Sequence, residues 1–210
     1  MEAFNKILLL VFILAVPLFC LLSVTRFLVL SESTYEHALL QGQAELVTGV
    51  SLEQLTAVNQ EIRNYLLGFS DAPLRISVVT NEGISLSIFN DREINHMIDV
   101  RNLMQLFWKI HDGLFIFILS SLAISFIKFR DDPLLKIAAD VRAASLTGIG
   151  LFAILAGLIF TGFDSAFYKF HELMFTNDLW ILNESTDRLL QMYPRDFWYW
   201  AAVRLAGATS

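Results

Sequence analysis

The chain has 210 residues, 55% of them hydrophobic, with 18 Phe and a formal net charge of −6. That is too apolar for most soluble domains of this length and points to an integral membrane protein. The acidic balance, with no basic cluster or stacking motif, excludes a nucleic-acid partner. The single cysteine, Cys20, lies inside an apolar run and leaves no disulfide framework. The length suits one membrane domain over 1–210.

Lys6 leads into a nearly unbroken apolar run from Ile7 to Val24, extended through Arg26 to Leu30. A spanning helix needs about 20 such residues, so 7–30 reads as the first span, with Pro17 a kink that neighbouring helices tolerate. A cleaved signal peptide fits poorly, because Pro17-Leu18-Phe19-Cys20 offers bulky residues where small ones are required.

Residues 31–105 are hydrophilic and long enough to hold structure. Ser51 to Phe69 is their best helix. Ser51 and Gln54 form a capping box, and Leu52, Leu55, Val58, Ile62, Tyr65, Leu66 and Phe69 make a helical stripe expected to pack as a core face. Gly68 and Asp71-Ala72-Pro73 stop it. Alternation at Ile76, Val78, Ile84, Leu86 and Ile88 across Asn81-Glu82-Gly83 predicts a short hairpin.

Asp91 to Leu106 is charged, yet it enters the second span, 106–127, without a Gly or Pro break. At helical spacing it places Arg92, His96 and Asp99 on one face. His111 and Asp112 lie about one turn inside this span, where ionisable groups must be paired or wetted. After a short loop from Lys128 to Arg142, the third span covers 145–163, with Gly148, Gly150, Ala153, Ala156 and Gly157 as a small packing surface. A second polar segment runs over 164–196. The apolar stretch from Phe197 stops before Arg204, so 197–210 reads as a partial fourth span, either truncated or ending as an aromatic interfacial anchor.

The expected fold class is therefore an all-α integral membrane protein. It is a helical bundle of three clear spans plus an incomplete fourth, with a mostly helical extracytoplasmic cap. Lys128, Arg130, Lys136 and Arg142 crowd the short loop, whereas segment 31–105 holds four basic residues against ten acidic ones. The positive-inside rule puts that loop and the N-terminus in the cytoplasm, and 31–105 and 164–196 outside. An outward site has no ready access to cytosolic ATP or nicotinamide, and no cofactor is expected.

Continuing the third span as helix puts Asp164, Tyr168 and His171 on one face. His96 and His171 then lie within a few turns of the same outer boundary. Such a pair can act as general acid and base, each imidazole titrating near pH 6.5. It can equally consist of two imidazoles that each hydrogen-bond a neighbouring carboxylate. His37 reads as solvated and His111 as a satisfied interfacial pair with Asp112. No metal spacing, serine elbow or phosphate loop occurs, so no metal is expected and a serine or cysteine nucleophile has no support.

Two long stretches then carry a resemblance. One is Phe89-Asn90-Asp91-Arg92-Glu93-Ile94-Asn95-His96-Met97-Ile98-Asp99-Val100. The other is Phe170-His171-Glu172-Leu173-Met174-Phe175-Thr176-Asn177-Asp178-Leu179-Trp180-Ile181-Leu182-Asn183, continuing as Asp187-Arg188-Leu189-Leu190-Gln191-Met192-Tyr193-Pro194. In order, and with two spans between, they resemble the bacterial lipoprotein intramolecular transacylase family. The departure is the C-terminus, where the fourth span is incomplete.

The resemblance implies an acyltransferase of the bacterial cell membrane. It would move one acyl chain from the glycerol of a diacylglyceryl-modified cysteine to that cysteine's own α-amino group, giving a lyso-form lipoprotein. Its partners would be diacylglyceryl-modified lipoproteins and membrane lipid. The chemistry wants two proton-transfer groups and lets positioning replace a covalent intermediate. His96 and His171 are the candidate acid/base pair. Arg92 and Asp99 are candidates for orienting His96 or holding the substrate's polar head, and Asn177 and Asp178 for the oxyanion or the second imidazole. Glu93, Trp180 and Asp187 read as structural. The rival functions are a non-catalytic module binding lipid or a partner protein, and a membrane hydrolase.

Overall fold

The computed structural model describes residues 2–129 and 131–209, so Met1, Ser210 and the loop cation Arg130 lie outside the described residues. In chain order the elements are α1 (Glu2–Leu30), α2 (Glu32–Gln41), α3 (Ala44–Thr48), α4 (Leu52–Leu67), β1 (Ser77–Val79) and β2 (Ser85–Ser87). There follow α5 (Asp91–Lys128), α6 (Pro133–Met174), α7 (Arg188–Met192) and α8 (Arg195–Thr209). This is a helical integral membrane fold. Among the described residues, three helices are long and apolar enough to cross a membrane: Asn5–Leu30, Asp91–Lys128 and Pro133–Met174. The 38 residues of α5 measure about 57 Å at about 1.5 Å per residue. Hydrocarbon is about 30 Å thick, so the apolar stretch 106–127 suffices to span and Asp91–Gln105 extends beyond it.

Two compact units share these helices: Met1–Arg26, Phe107–Thr161 and Val203–Ser210 in the first, Phe27–Leu106 and Gly162–Ala202 in the second. The first exposes large apolar side chains, among them Ile116, Ile124, Leu146, Ile154 and Phe160, the surface a hydrocarbon solvent requires. Its α6 approaches α1 at Gly148, where a Cβ would stand 3.2 Å from the Pro17 ring. Gly150 and Gly157 would meet nothing within 4 Å, so of these three glycines Gly148 alone serves as a close-packing position. His111 joins α5 to α1. Its Nε2 lies 3.1 Å from Ser23 Oγ, its ring stacks on Phe19, and Arg26 hydrogen-bonds both it and Asp112.

The second unit has a core of its own. α4 buries Leu55, Val58, Ile62 and Tyr65 against Tyr35, Leu39, Val78, Phe89, Met97 and Met192. The outer ends of the expected stripe, Leu52 and Phe69, stay exposed. Gly68 closes α4 with φ +85°, a left-handed conformation that favours glycine. β1 and β2 pair antiparallel with Val78 opposite Leu86, and Gly83 turns the hairpin at φ +80°.

The capping box read at Ser51 and Gln54 does not form, since Ser51 makes no side-chain cap bond. Gln54 instead exchanges two 2.8 Å hydrogen bonds with the backbone of Val79, satisfying an edge residue of β1. A true capping box opens α5. The Glu93 N–H donates to Asn90 Oδ1 at 3.0 Å, and the Asn90 N–H donates to Glu93 Oε2 at 2.7 Å.

One expectation, the continuity of the third span, changes. α6 leaves helical geometry at Gly162, so the run from the third span to His171 is not one uninterrupted helix. The break precedes Asp164, so Asp164, Tyr168 and His171 keep their helical spacing, and Asp164 pairs with Arg195 at 2.5 and 2.9 Å. α8 has 15 residues, about 22 Å, which falls short of a hydrocarbon core. Its aromatic start packs inward, with Phe197 buried and Trp200 against the same core.

Candidate active site

About four turns of helix separate the start of α5 from its apolar stretch, and His96 sits on the second of them. The last turns of α6 carry His171. Both rings are buried, 7% and 8% exposed, with centroids 6.2 Å apart. Aromatic rings surround them. Phe175 meets His96 edge-on at 5.3 Å, and Phe167, Phe175 and Trp180 lie 4.3, 5.7 and 5.1 Å from His171. This apolar setting disfavours the imidazolium. Burial first, and then repulsion from His171, hold His96 down to about 4, against a smaller opposing pull from Asp99. Burial lowers His171 too, opposed by its bond to the Phe167 carbonyl.

That bond sets the tautomer. His171 Nδ1 lies 2.7 Å from Phe167 O, and a carbonyl only accepts, so Nδ1 carries the proton. In the neutral ring Nε2 is then an unprotonated base. His96 Nδ1 is buried and has no hydrogen-bond partner among the described residues.

A buried imidazole pair with centroids 6.2 Å apart, on motifs separated by two spans, invites comparison with known proteins. The family model described as lipoprotein intramolecular transacylase Lit matches residues 10–198. The chain belongs to the Lit family. Its fold is similar to the solved structure of the membrane-integral lipoprotein intramolecular transacylase Lit from Bacillus cereus, with TM-score 0.76 and 17% identity over 100% of this chain and 92% of that one. A structure of the same protein with a histidine replaced by arginine aligns with TM-score 0.71 at 18% identity, over 99% of this chain and 86% of that one. A curated relative from Aquifex aeolicus (strain VF5), described as an uncharacterized protein, is 31% identical over 112 residues. That match covers 53% of this chain and 46% of the relative, so the chain spans about half the length of this curated relative.

The other expected site residues of this Lit-family chain converge on one loop, 175–181, rather than on the imidazoles. Arg92 Nε donates to Ile181 O at 3.2 Å, and its Nη2 donates to Asp178 O and stands 3.7 Å from Asp178 Oδ1. Asn177 Nδ2 donates to Asp99 Oδ2 at 2.8 Å, while its Oδ1 accepts the Leu179 N–H at 3.0 Å. Trp180 Nε1 donates to Asn177 O at 2.8 Å, fixing the indole beside His171. Arg92 and Asp99 therefore act on the loop, and the influence of Asp99 on His96 is its field.

The buried carboxylate Glu93, 1% exposed, accepts the Leu189 N–H at 2.7 Å with its second oxygen. Asn90 Nδ2 donates to Asp187 Oδ1 at 2.8 Å, and Asp187 Oδ2 accepts the Asn183 N–H at 2.7 Å. These bonds tie the two histidine segments together. Sequence reasoning overlooked the Asn90 cap, although Asn-x-x-Glu before an apolar run signals one, and it overlooked Phe167 and Phe175, whose roles arise only when the helices meet. His37 is half-buried, and its ring stacks on Trp200 at 4.1 Å. Among the described residues, no group of three or more His, Cys, Asp or Glu could hold a metal ion.

Proposed function

We propose that this chain moves one acyl chain from the diacylglyceryl group of a lipoprotein's N-terminal cysteine to the α-amino group of that same cysteine. One observation carries the reading: two buried imidazoles with centroids 6.2 Å apart, one held with its Nε2 unprotonated. Membership of a family described as lipoprotein intramolecular transacylases supports it.

The reaction breaks the ester C–O bond and forms an amide C–N bond. The amine loses one proton and the departing glycerol oxygen gains one, so the exchange is proton-neutral and needs no cofactor. His171 Nε2 takes the amine proton, and its Nδ1–H···O=C bond to Phe167 steadies the imidazolium that forms. His96 faces it and relays a proton toward the glycerol oxygen, acting as acid late in the sequence. Amine and ester belong to one molecule, so holding them at near-attack distance replaces a covalent enzyme intermediate. Arg92, Asp99 and Asn177 position the loop that sets Trp180 against His171. The aromatic walls suit an acyl substrate and exclude the water that would divert it to hydrolysis.

The protein is co-expressed with a diacylglyceryl-modified lipoprotein and the N-terminal lipopeptide is analysed by mass spectrometry. An N-acyl, S-monoacylglyceryl product is expected. An unchanged peptide, or loss of an acyl chain as free fatty acid, overturns the reading.

A further inference from the structure

Among the described residues, four phenylalanines are more than half exposed. Phe27, Phe126 and Phe160 lie on α1, α5 and α6, the three helices long and apolar enough to cross a membrane, where hydrocarbon is the solvent. The fourth, Phe69, is 78% exposed and lies just beyond α4, outside those helices. Its backbone is fixed. The Gly68 N–H donates to Tyr65 O at 3.2 Å and the Phe69 N–H to Asn64 O at 2.9 Å, the pair of bonds that makes a Schellman stop. In that motif the residue at Phe69's place commonly packs on the one that accepts its N–H. Here the acceptor is the polar Asn64, and the ring is left exposed.

The level of this turn is fixed by α5. Gln105 Nε2 donates to Leu66 O at 2.8 Å, and a Cβ on Gly68 would stand 2.9 Å from Gln105 Oε1, so α4 ends against Gln105. One turn back along α5, Arg101 binds Asp71 and lies 5.2 Å over the Tyr65 ring. The polar-to-apolar boundary of α5 falls in this same turn. Asn102 and Leu106 are both exposed and share a face, being four residues apart. That face changes there from an amide to a leucine 51% exposed, the first residue of the apolar stretch 106–127. Lys109, one turn beyond Gln105, has a stem that carries its ammonium back to headgroup level.

We infer that Phe69 inserts into the membrane at the headgroup–acyl boundary and anchors the end of α4 to the lipid of the leaflet that α5 enters at Leu106. The exposed apolar surface of α5 begins at the level where the ring is held, which makes lipid, rather than a soluble partner, what covers it. Apolar faces at an interface lie about 5–10 Å into that boundary, a depth within reach of a ring level with Gln105. The Asp71–Arg101 pair one turn away meets the headgroups, where charge is solvated.

The full-length protein carrying Cys20→Ser and Phe69→Cys is labelled with a nitrobenzoxadiazole maleimide and reconstituted in vesicles of phosphatidylcholine and phosphatidylglycerol. Glu82→Cys, on the exposed hairpin turn, is the water-facing control. The hairpin lies at the other end of α4, where Gln54 binds Val79 about 18 Å along the helix from Leu66. Lipids bearing a nitroxide near the top of the acyl chain are expected to quench the label at position 69 by about twofold, and the control little. Aqueous iodide is expected to do the reverse. Equal iodide quenching at the two positions overturns the inference. So does shielding from iodide that is lost when the protein is diluted about tenfold in lipid, because the ring would then cover a second copy of the chain. Phe69→Trp keeps an aromatic ring and gives a second reading should the labelled variant elute aggregated. Its emission in excess of the unaltered protein's is expected to be quenched by lipids brominated near the top of the chain, and an unquenched excess overturns the inference.

Discussion

At His171 a backbone carbonyl performs the task that a carboxylate performs in many imidazole bases. Phe167 O lies one helical turn before the ring and accepts the Nδ1 proton at 2.7 Å, and no negative charge need be buried to orient the base. Replacing either His96 or His171 by Ala is expected to lower transacylation by about 10²–10⁴-fold, the range for a general acid or base. Lipopeptide mass spectrometry at matched expression reads the loss, and full activity in both variants would sink the pair. His96 also bears on stability. Its folded value is depressed to about 4 from 6.5 by burial, so below 6.5 the unfolded chain binds a proton that the folded chain refuses. Stability contributed by the neutral ring is complete above pH 6.5 and drains as pH falls toward 4. The thermal midpoint in detergent should fall between pH 7 and 4.5, and fall less in His96→Asn. Equal acid sensitivity in the two proteins would place the effect elsewhere.

Helices and turns differ in how far they can be read from residue order. The stop at Gly68, the hairpin about Gly83 and the unbroken entry from Asp91 into an apolar span were legible because each rests on neighbours in the chain. The Ser51–Gln54 box was misread because β1 competes for Gln54 and offers it two backbone partners. No local pattern shows that competition. The pairing of His96 with His171 was expected only as two residues at similar depth. Their 6.2 Å separation, and the diversion of Arg92 and Asp99 to loop 175–181, depend on helices meeting across more than seventy residues. Glu93 gives this element its clearest test, since its two oxygens accept the N–H groups of Asn90 and Leu189, each at 2.7 Å. Glu93→Ala leaves the buried Leu189 N–H and the part-buried Asn90 N–H without this partner and should cost about 1–3 kcal/mol. Glu53→Ala, on the exposed face of α4, should stay within about 0.5 kcal/mol. Denaturation midpoints in detergent compare them, and equal midpoints would remove the capping box from the stabilising contacts.

For the whole molecule, loop charge decides which way the chain lies in the membrane. Segment 31–105 is longer than the loops over which the positive-inside rule counts best, so its acidic excess weighs little. The turn between α5 and α6 weighs more: Lys128 ends α5, Lys136 and Arg142 lie in the first turns of α6, and Lys6 lies on the same side of the first span. We propose that this side is cytoplasmic, which faces the imidazole pair outward, toward lipoproteins anchored in the outer leaflet. The single cysteine makes the orientation measurable. In a Cys20→Ser background, Glu82→Cys marks the exposed hairpin turn and Asp131→Cys the exposed short loop, neither touching the imidazole pair. A membrane-impermeant maleimide added to intact cells, outer membrane permeabilised where one exists, should label Glu82→Cys at once and Asp131→Cys only after the inner membrane is lysed. The reverse pattern would turn the chain over. It would also separate the imidazole pair from its proposed substrate, because an N-terminal cysteine anchored in the outer leaflet cannot reach a cytoplasmic site.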